Sequence, residues 1–162
     1  MDNVLLASER HDWQSPDEVL IPTRRLGPIM LDPCTDSTNP CQAVYPLTQR
    51  GLEADWRTFG LGGITYVNPP YGKAIAQWVT KCICESLRDL EIVLLTPARP
   101  DIDWYDRARR SCAAWCEIDH RLTFRGAPST ASFPSALHYW GPRPFLFAHE
   151  FQQLGRVGVR SW

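Results

Sequence analysis

Gly63-Ile-Thr-Tyr-Val-Asn-Pro-Pro-Tyr-Gly72 runs an apolar strand straight into two consecutive prolines. Pro69 and Pro70 have no backbone N–H and hold φ near −65°, so no sheet ladder continues past Asn68 and no helix starts there. The strand must stop. At its C-terminal end it leaves a rigid corner carrying a carboxamide, carbonyls with no competing ladder partner, and the aromatic face of Tyr71.

Outward from that corner, Pro-rich punctuation divides the chain into short apolar runs and amphipathic stretches. Ser15-Pro16-Asp17-Glu18 reads as a helix start, with Ser15 as N-cap, Pro16 at the first helical position and Glu18 completing a capping box. That helix is expected to end before Pro22. Gly27 to Asp32 reads as a strand delivering Asp32 to its C-terminal end, stopped by Pro33. Ala43 to Tyr45 is a candidate second strand, and Gly51 to Trp56 a weak third element ending in Asp55-Trp56.

After the corner, Lys73 to Leu90 has helical periodicity, with Ile75, Trp78, Val79, Cys82, Ile83 and Leu87 along one side. Glu91 to Thr96 is the clearest buried strand, and an Arg-rich helical segment follows around Trp104 to Arg110. Ala113 to Ile118, Ser135 to Trp140 and Phe145 to Phe151 are further apolar runs of strand length. The alternation predicts an α/β fold: a sheet parallel in its first part, helices on both faces, and an antiparallel addition at the C-terminal end. Ligands of such sheets bind outside the carboxyl ends of the strands. Three of those ends carry Asp32-Pro33, Asp55-Trp56 and Asn68-Pro-Pro-Tyr71.

Composition narrows the class. At 162 residues, 44% hydrophobic and 22% charged, the chain reads as one soluble globular domain rather than a disordered segment. No span of about 18 apolar residues is present, and Met1 to Gln14 is polar. The expectation is a cytoplasmic protein with no membrane span and no signal peptide. Cys34 and Cys41, Cys82 and Cys84, and Cys112 and Cys116 do not form the C-x-x-C knuckles of structural zinc, so they read as buried thiols and no metal is expected. His11, His120, His138 and His149 stand beside no nucleophile and read as structural.

The net charge of −1 hides an asymmetry. Residues 1–98 hold eight basic and twelve acidic side chains, whereas residues 99–162 hold nine and six. Arg107, Arg109, Arg110, Arg121, Arg125 and Arg143 make the second part the natural place for phosphate contacts.

The chemistry of the strand ends suits an amine conjugated to a ring. Its lone pair is delocalised, so it is a poor nucleophile. The Asn68 side-chain oxygen and the Pro69 carbonyl would each accept one N–H, hold the nitrogen and favour a pyramidal geometry, while Tyr71 stacks on the ring. Such stacking is worth roughly 1 to 3 kcal/mol per base, which helps offset the cost of flipping a base out of a helix. Carboxylates at Asp32 and Asp55 suit an ammonium, a ribose hydroxyl or an adenine amine.

The Asn68-Pro-Pro-Tyr71 tetrapeptide resembles motif IV of the S-adenosylmethionine-dependent amino methyltransferases. The wider pattern includes Trp13-Gln-Ser-Pro16, Leu31-Asp-Pro-Cys34, Asn39, Tyr45, Gly51-Leu52, Asp55-Trp56, Trp78, Leu94-Leu-Thr-Pro97, Trp104, Arg121-Leu-Thr-Phe124 and Ser135-Ala-Leu137. It resembles the small Dam-like DNA N6-adenine methyltransferases of bacteriophages and prophages. The resemblance implies a Rossmann-like methyltransferase fold in one catalytic domain, without a separate target-recognition domain. It also implies DNA as partner and S-adenosyl-L-methionine as cofactor. Asn68, Pro69, Pro70 and Tyr71 would be catalytic. Ser15 and Pro16 would lie near the cofactor's methionine part, Asp32, Pro33 and Cys34 in the place of motif I, and Asp55 and Trp56 near its adenine.

One segment departs from that family. Amino methyltransferases commonly continue Asp-Pro-Phe-x-Gly-x-Gly, whereas here Asp32-Pro-Cys-Thr-Asp-Ser-Thr38 holds no glycine, the residue that permits close backbone approach. Two consequences stay open: weak cofactor affinity, or a loop built from Thr35, Asp36 and Ser37. Among methyltransferases the alternatives are RNA guanine N2 and protein glutamine, served by the same tetrapeptide, and cytosine N4, which more often goes with Ser-Pro-Pro-Tyr or Ser-Pro-Pro-Trp. An inactive nucleic-acid-binding module is the alternative from outside the enzyme class.

Overall fold

In the computed structural model, which describes residues 13–161, four strands run parallel. They are Ile29–Asp32 (β1), Tyr45–Pro46 (β2), Ile64–Val67 (β3) and Glu91–Pro97 (β4). Ala114–Ile118 (β5), Ser135–Trp140 (β6) and Gly155–Val159 (β7) complete a seven-stranded sheet in the order β2-β1-β3-β4-β6-β5-β7. The last three pair only antiparallel, with β6 lying between β4 and β5 and β7 beyond β5. The sheet is thus α/β, parallel through β1, β3 and β4 and antiparallel at the C-terminal end, and it is compatible with a methyltransferase fold.

Two apolar layers cover it. Successive side chains of a strand point to opposite faces, and β3 shows both: Ile64 and Tyr66 pack with Val19, Leu20, Phe147 and Phe151, whereas Val67 packs with Trp78, Val79, Trp104 and Ala108. The first layer is carried by helices Asp17–Leu26 (α1) and Pro144–Phe151 (α5). The second is carried by Ile75–Ser86 (α3) and Asp103–Ser111 (α4), with the short Arg57–Gly60 (α2) beside β1. Burying each large aliphatic or aromatic side chain contributes about 1.5 to 3 kcal/mol, and β3 and β6 are buried along their whole length.

Several elements differ from the sequence expectation, each for a physical reason. Helix α1 continues through Pro22 to Leu26. An interior proline forfeits one hydrogen bond and crowds the preceding turn, but Val19, Leu20, Pro22, Thr23 and Leu26 are all buried on the sheet, and the Thr23 hydroxyl bonds the Val19 carbonyl at 2.7 Å. Tertiary burial outweighs the local cost. Phe145 to Phe151, expected as a strand, is helix α5, started by Pro144 in its first turn. Strand β7 was not expected at all. The second strand shifts to Tyr45–Pro46, and Gly51 to Trp56 forms a turn leading into α2. Helix α3 ends at Ser86, leaving Leu87 82% exposed. Of the thiols read as buried, Cys84 is exposed and Cys34 half-buried. His11 lies outside the described residues.

His138, in the middle of β6, is fully buried between Tyr105 and Trp140, and neither ring nitrogen has a hydrogen-bond partner. Burial pushes its pKa down to about 3, and Arg109 adds to the effect. The folded state therefore binds the proton only near pH 3, whereas the unfolded chain takes it up near 6.5. Stability is retained above pH 6.5 and lost as pH falls toward 3, by up to roughly 4 to 5 kcal/mol for this group alone. Replacing His138 with Leu is expected to raise stability at pH 7 by about 1 to 3 kcal/mol, the cost of an unsatisfied buried polar group. It should also remove this group's share of the acid loss, so that the variant's advantage over wild type grows as pH falls, read from urea midpoints between pH 7.5 and 4. A constant difference across that range would contradict the assignment.

Candidate active site

The loops following β1, β3 and β4 emerge at one end of the sheet, and the 119–134 segment between β5 and β6 meets them there. Asn68 is the first residue beyond β3. Its Nδ2 donates to the Trp13 carbonyl at 3.3 Å, and its Oδ1 accepts the Tyr71 hydroxyl at 3.3 Å. The Trp13 contact settles which end of the carboxamide faces where: the nitrogen is held back toward the N-terminal segment, and the oxygen is left forward. No hydrogen bond from the described residues ends on the Pro69 carbonyl. Gly72, at φ 141°, then turns the chain toward α3, a conformation that favours glycine.

Tyr71 stands edge-on to Phe133 at 5.6 Å and to Phe124 at 6.4 Å, and Trp13 stacks on Phe124 at 6.1 Å. These four rings wall one side of the corner. Enclosure holds the Tyr71 phenol well above its usual range, so it stays a neutral hydrogen-bond donor.

Beside the corner opens a small cleft lined by Trp13, Ser15, Asp32, Cys34, Thr35 and Asn68. Asp32 ends β1 and is 5% exposed. Burial pushes its carboxyl up to about 6, against the opposing hydrogen bonds from the Cys41 thiol at 3.2 Å and the Cys34 backbone N–H at 3.1 Å. A carboxylate so poorly satisfied is a strong partner for a cation. The same cleft holds two buried polar atoms, Trp13 Nε1 without a partner and Thr35 Oγ1, which makes no well-formed hydrogen bond but lies close enough to Asp32 to help hold its carboxyl down. Native structures rarely leave such groups unpaired, and here they stand ready for an acceptor on a ligand.

The glycine-free segment after Asp32 is held by its own side chains. Asp36 Oδ1 accepts the Thr38 N–H at 2.8 Å and the Thr38 hydroxyl at 2.5 Å, and Thr35 N–H reaches the Leu47 carbonyl at 3.1 Å. Burial opposes ionisation of Asp36, but bonds from Thr38, Gln14 and Asn39 hold its carboxyl below the ordinary value. A second loop packs closely against the segment: a Cβ at Gly51 would lie 1.8 Å from the Pro33 carbonyl oxygen and 2.9 Å from the Trp78 ring. Gly51→Ala is expected to push the Pro33 segment outward, costing about 1 to 3 kcal/mol of stability and weakening ligand binding at Asp32. Denaturant midpoints and ligand titration check this. A wild-type midpoint with wild-type affinity would show that the contact is not needed.

The other sequence candidates have different surroundings. Ser15 does not cap α1; Pro16 holds that position, and the Ser15 hydroxyl pairs instead with the Tyr66 phenol at 2.5 Å. Glu18 bonds His120 at 2.8 Å rather than completing a capping box. Trp56 is fully buried, donates to the Gly51 carbonyl at 2.7 Å and stacks on Trp78. Asp55 is exposed and pairs with Arg88 at 2.8 Å, which lowers its pKa. Neither Asp55 nor Trp56 lines the cleft of Asp32 and Asn68. Gln14, Thr35, Cys41, Tyr66, Phe124 and Phe133 contribute to the site without having stood out as site residues. Thr35 was the one with a signal, its place in the loop after Asp32; Tyr66 and Cys41 look like ordinary core.

Of the six arginines considered for phosphates, Arg107 pairs with Asp103, Arg110 with Asp106, Arg125 with Asp17 and Arg143 with Glu91, and Arg109 lies over the Trp115 ring. Among the described residues Arg121 has no such partner, and Lys73, two residues after Tyr71, has none either. No helix of the described residues is long and apolar enough to cross a membrane.

No curated protein matches the chain. The family model described as DNA N-6-adenine-methyltransferase (Dam) matches residues 3–136, from the N-terminal segment through both strand ends and the 119–134 loop into the start of β6. A match over that much of its length, with Asp32 and Asn68 sharing one cleft, means that the chain belongs to the Dam family of DNA N6-adenine methyltransferases.

Proposed function

We propose that the protein transfers a methyl group from S-adenosylmethionine to the N6 amine of adenine in DNA, at a specific site and as a single catalytic domain. The observation that carries this reading is the Asn68 corner: one carboxamide oxygen oriented by the Trp13 carbonyl, one unoccupied backbone carbonyl at Pro69 and a wall of aromatic rings, with Asn68 and Trp13 also lining the cleft that holds the Asp32 carboxylate.

The residues present fit the cofactor. An amino-acid end needs an acceptor for its ammonium and donors for its carboxylate. Asp32 offers the first; the unpartnered Trp13 Nε1–H offers the second, joined by the Thr35 hydroxyl, which stands beside Asp32 and would turn to the ligand. Ser15, just ahead of α1, and Cys34, just past β1, line the cleft, and Pro16 and Pro33 adjoin them in the chain. Asp55 and Trp56 keep structural roles in this proposal. When bound, the cofactor supplies an electrophilic methyl on a sulfonium.

The protein's own part is positioning. Asn68 Oδ1 and the Pro69 carbonyl accept the two N–H groups of the target amine and draw its lone pair out of conjugation. Pro70 keeps the corner rigid. Tyr71 gives up its 3.3 Å bond to Asn68 Oδ1 when the amine arrives, and with Phe124 and Phe133 it encloses the flipped base. The proton lost after transfer leaves to solvent, since no general base stands beside Asn68 among the described residues. Lys73 and Arg121, free of carboxylate partners, take backbone phosphates.

Incubation with labelled S-adenosylmethionine and unmethylated duplex DNA, followed by nucleoside analysis, tests the reading. Label in N6-methyladenine is expected. Label in N4-methylcytosine, or DNA binding with no label, would overturn it.

A further inference from the structure

The N-terminal segment Trp13-Gln14-Ser15 touches both halves of the site. Gln14 makes the connection by two separate parts of the same residue. Its side-chain Nε2 donates to Asp36 Oδ2 at 3.1 Å and to Thr38 Oγ1 at 2.9 Å, reaching into the loop that follows Asp32. Its backbone forms an antiparallel bridge with Arg125 in both directions, at 3.1 and 2.9 Å. Arg125 directly follows Phe124, whose ring stands against Tyr71 and Trp13.

We propose that Gln14 is a positioning residue that couples the two ligands: it ties the cofactor loop to the wall of the base pocket, so that each ligand binds more tightly when the other is present. This rests on the methyl-transfer reading above. The loop from Pro33 to Thr38 has no glycine turn to fix its shape; beside the Thr35 N–H on the Leu47 carbonyl and the Cys34 thiol on the Asn68 carbonyl, it is held by side-chain hydrogen bonds, of which those from Gln14 are the ones reaching it from another segment's side chain. The segment from Arg121 to Phe133 is likewise a long connection, tied back at this point by the Gln14 ladder. Ordering either loop costs conformational entropy. A ligand that fixes one of them fixes Gln14, and the second ligand then meets a loop already ordered. Thermodynamic linkage makes the effect equal in both directions.

The test uses the full chain, S-adenosylhomocysteine and an unmethylated duplex. Calorimetric titration of S-adenosylhomocysteine is run with and without saturating duplex. For the wild type, duplex is expected to tighten binding by about fivefold or more, the low end of typical coupling. In Gln14→Ala the ratio should fall to about one, with the thermal midpoint little changed. Asp36→Asn removes the charge from the other end of the contact and should lower the ratio as well. The double variant should lose no more than Gln14→Ala alone. If Gln14→Ala does not fold, Asp36→Asn carries the test.

A purely structural role would weaken both titrations equally and leave the ratio at its wild-type value, which would overturn the proposal. A wild-type ratio of one would overturn it also. Failure of the wild type to bind S-adenosylhomocysteine at all would instead sink the methyl-transfer reading.

Discussion

Asn68→Ala is expected to lower turnover by roughly 10²- to 10³-fold, the loss usually seen when one preorganised hydrogen-bond partner of a transition state is removed. The variant keeps the Pro69 carbonyl, so one of two acceptors remains and activity should not vanish. Cofactor affinity should change little, because the Asn68 carboxamide points to Trp13 and Tyr71 and not to Asp32. Asn68→Asp should fall between the two proteins. It retains an oxygen acceptor but loses the Nδ2–H that holds the group on the Trp13 carbonyl, and it sets a negative charge against that carbonyl. Single-turnover rates and S-adenosylhomocysteine titration on the same preparations separate the effects. Equal losses in rate and affinity would mean that Asn68 acts on the cofactor and not on the amine.

Asp32→Asn should move stability and function in opposite directions. The Asp32 carboxyl is raised from 3.8 to about 6 chiefly by burial. A folded-state value above the unfolded one means that the group favours folding fully below pH 3.8, and that this contribution is lost as pH rises through 6. At pH 7.5 the ionised side chain therefore costs folding about 3 kcal/mol at most. An asparagine can keep its one acceptor oxygen on the Cys34 N–H and turn its NH2 to the Cys41 sulfur, a weak acceptor, so Asp32→Asn should be more stable than wild type at pH 7.5 by about 1 to 3 kcal/mol. That advantage should shrink as pH falls from 6 to 3.8.

The same change removes the partner of a ligand ammonium, and affinity for S-adenosylhomocysteine should fall by roughly 10- to 100-fold, the loss of a charge-assisted bond of about 1.5 to 3 kcal/mol. In the wild type, affinity should weaken below about pH 6 as Asp32 takes up its proton. Thermal midpoints and titrations across pH 5 to 8 read both effects. A destabilised variant with unchanged affinity would place Asp32 among the structural carboxylates.

The parts of this molecule legible in the sequence are those set by local rules. Ser135 to Trp140 read as a strand with its observed bounds because turn residues flank a short apolar run, and Asp32 and Asn68 read as strand ends because a proline follows each. The misread parts are set by what lies across space. Phe145 to Phe151 has the composition of a strand, and only its packing against α1 and β5 makes it a helix. Gly155 to Val159 lacks a strand signal because Gly158 must leave room for the Trp115 indole, where a Cβ would sit 2.0 Å from the ring.

The site divides in the same way. Its two key polar residues were visible as punctuation, yet the contact that orients Asn68 comes from a residue 55 positions away, and one of those on Asp36 comes from 22 positions away. No periodicity records such pairings. Asp55-Trp56 shows the converse: it looks like another functional strand end, but Arg88 engages the carboxylate and Trp78 stacks on the indole. The missing glycines after Asp32 are a third case: the segment is held by its own side chains and by Gly51, whose lack of a Cβ lets another loop pack against Pro33.

The geometry is tested most directly by a crystal structure of the protein with S-adenosylhomocysteine. The expected result is the ligand's ammonium on Asp32, its carboxylate on Trp13 Nε1 and Thr35, and its sulfur facing the opening between Asn68 Oδ1 and the Pro69 carbonyl. A ligand bound elsewhere, or one whose sulfur faces away from Asn68, would contradict it.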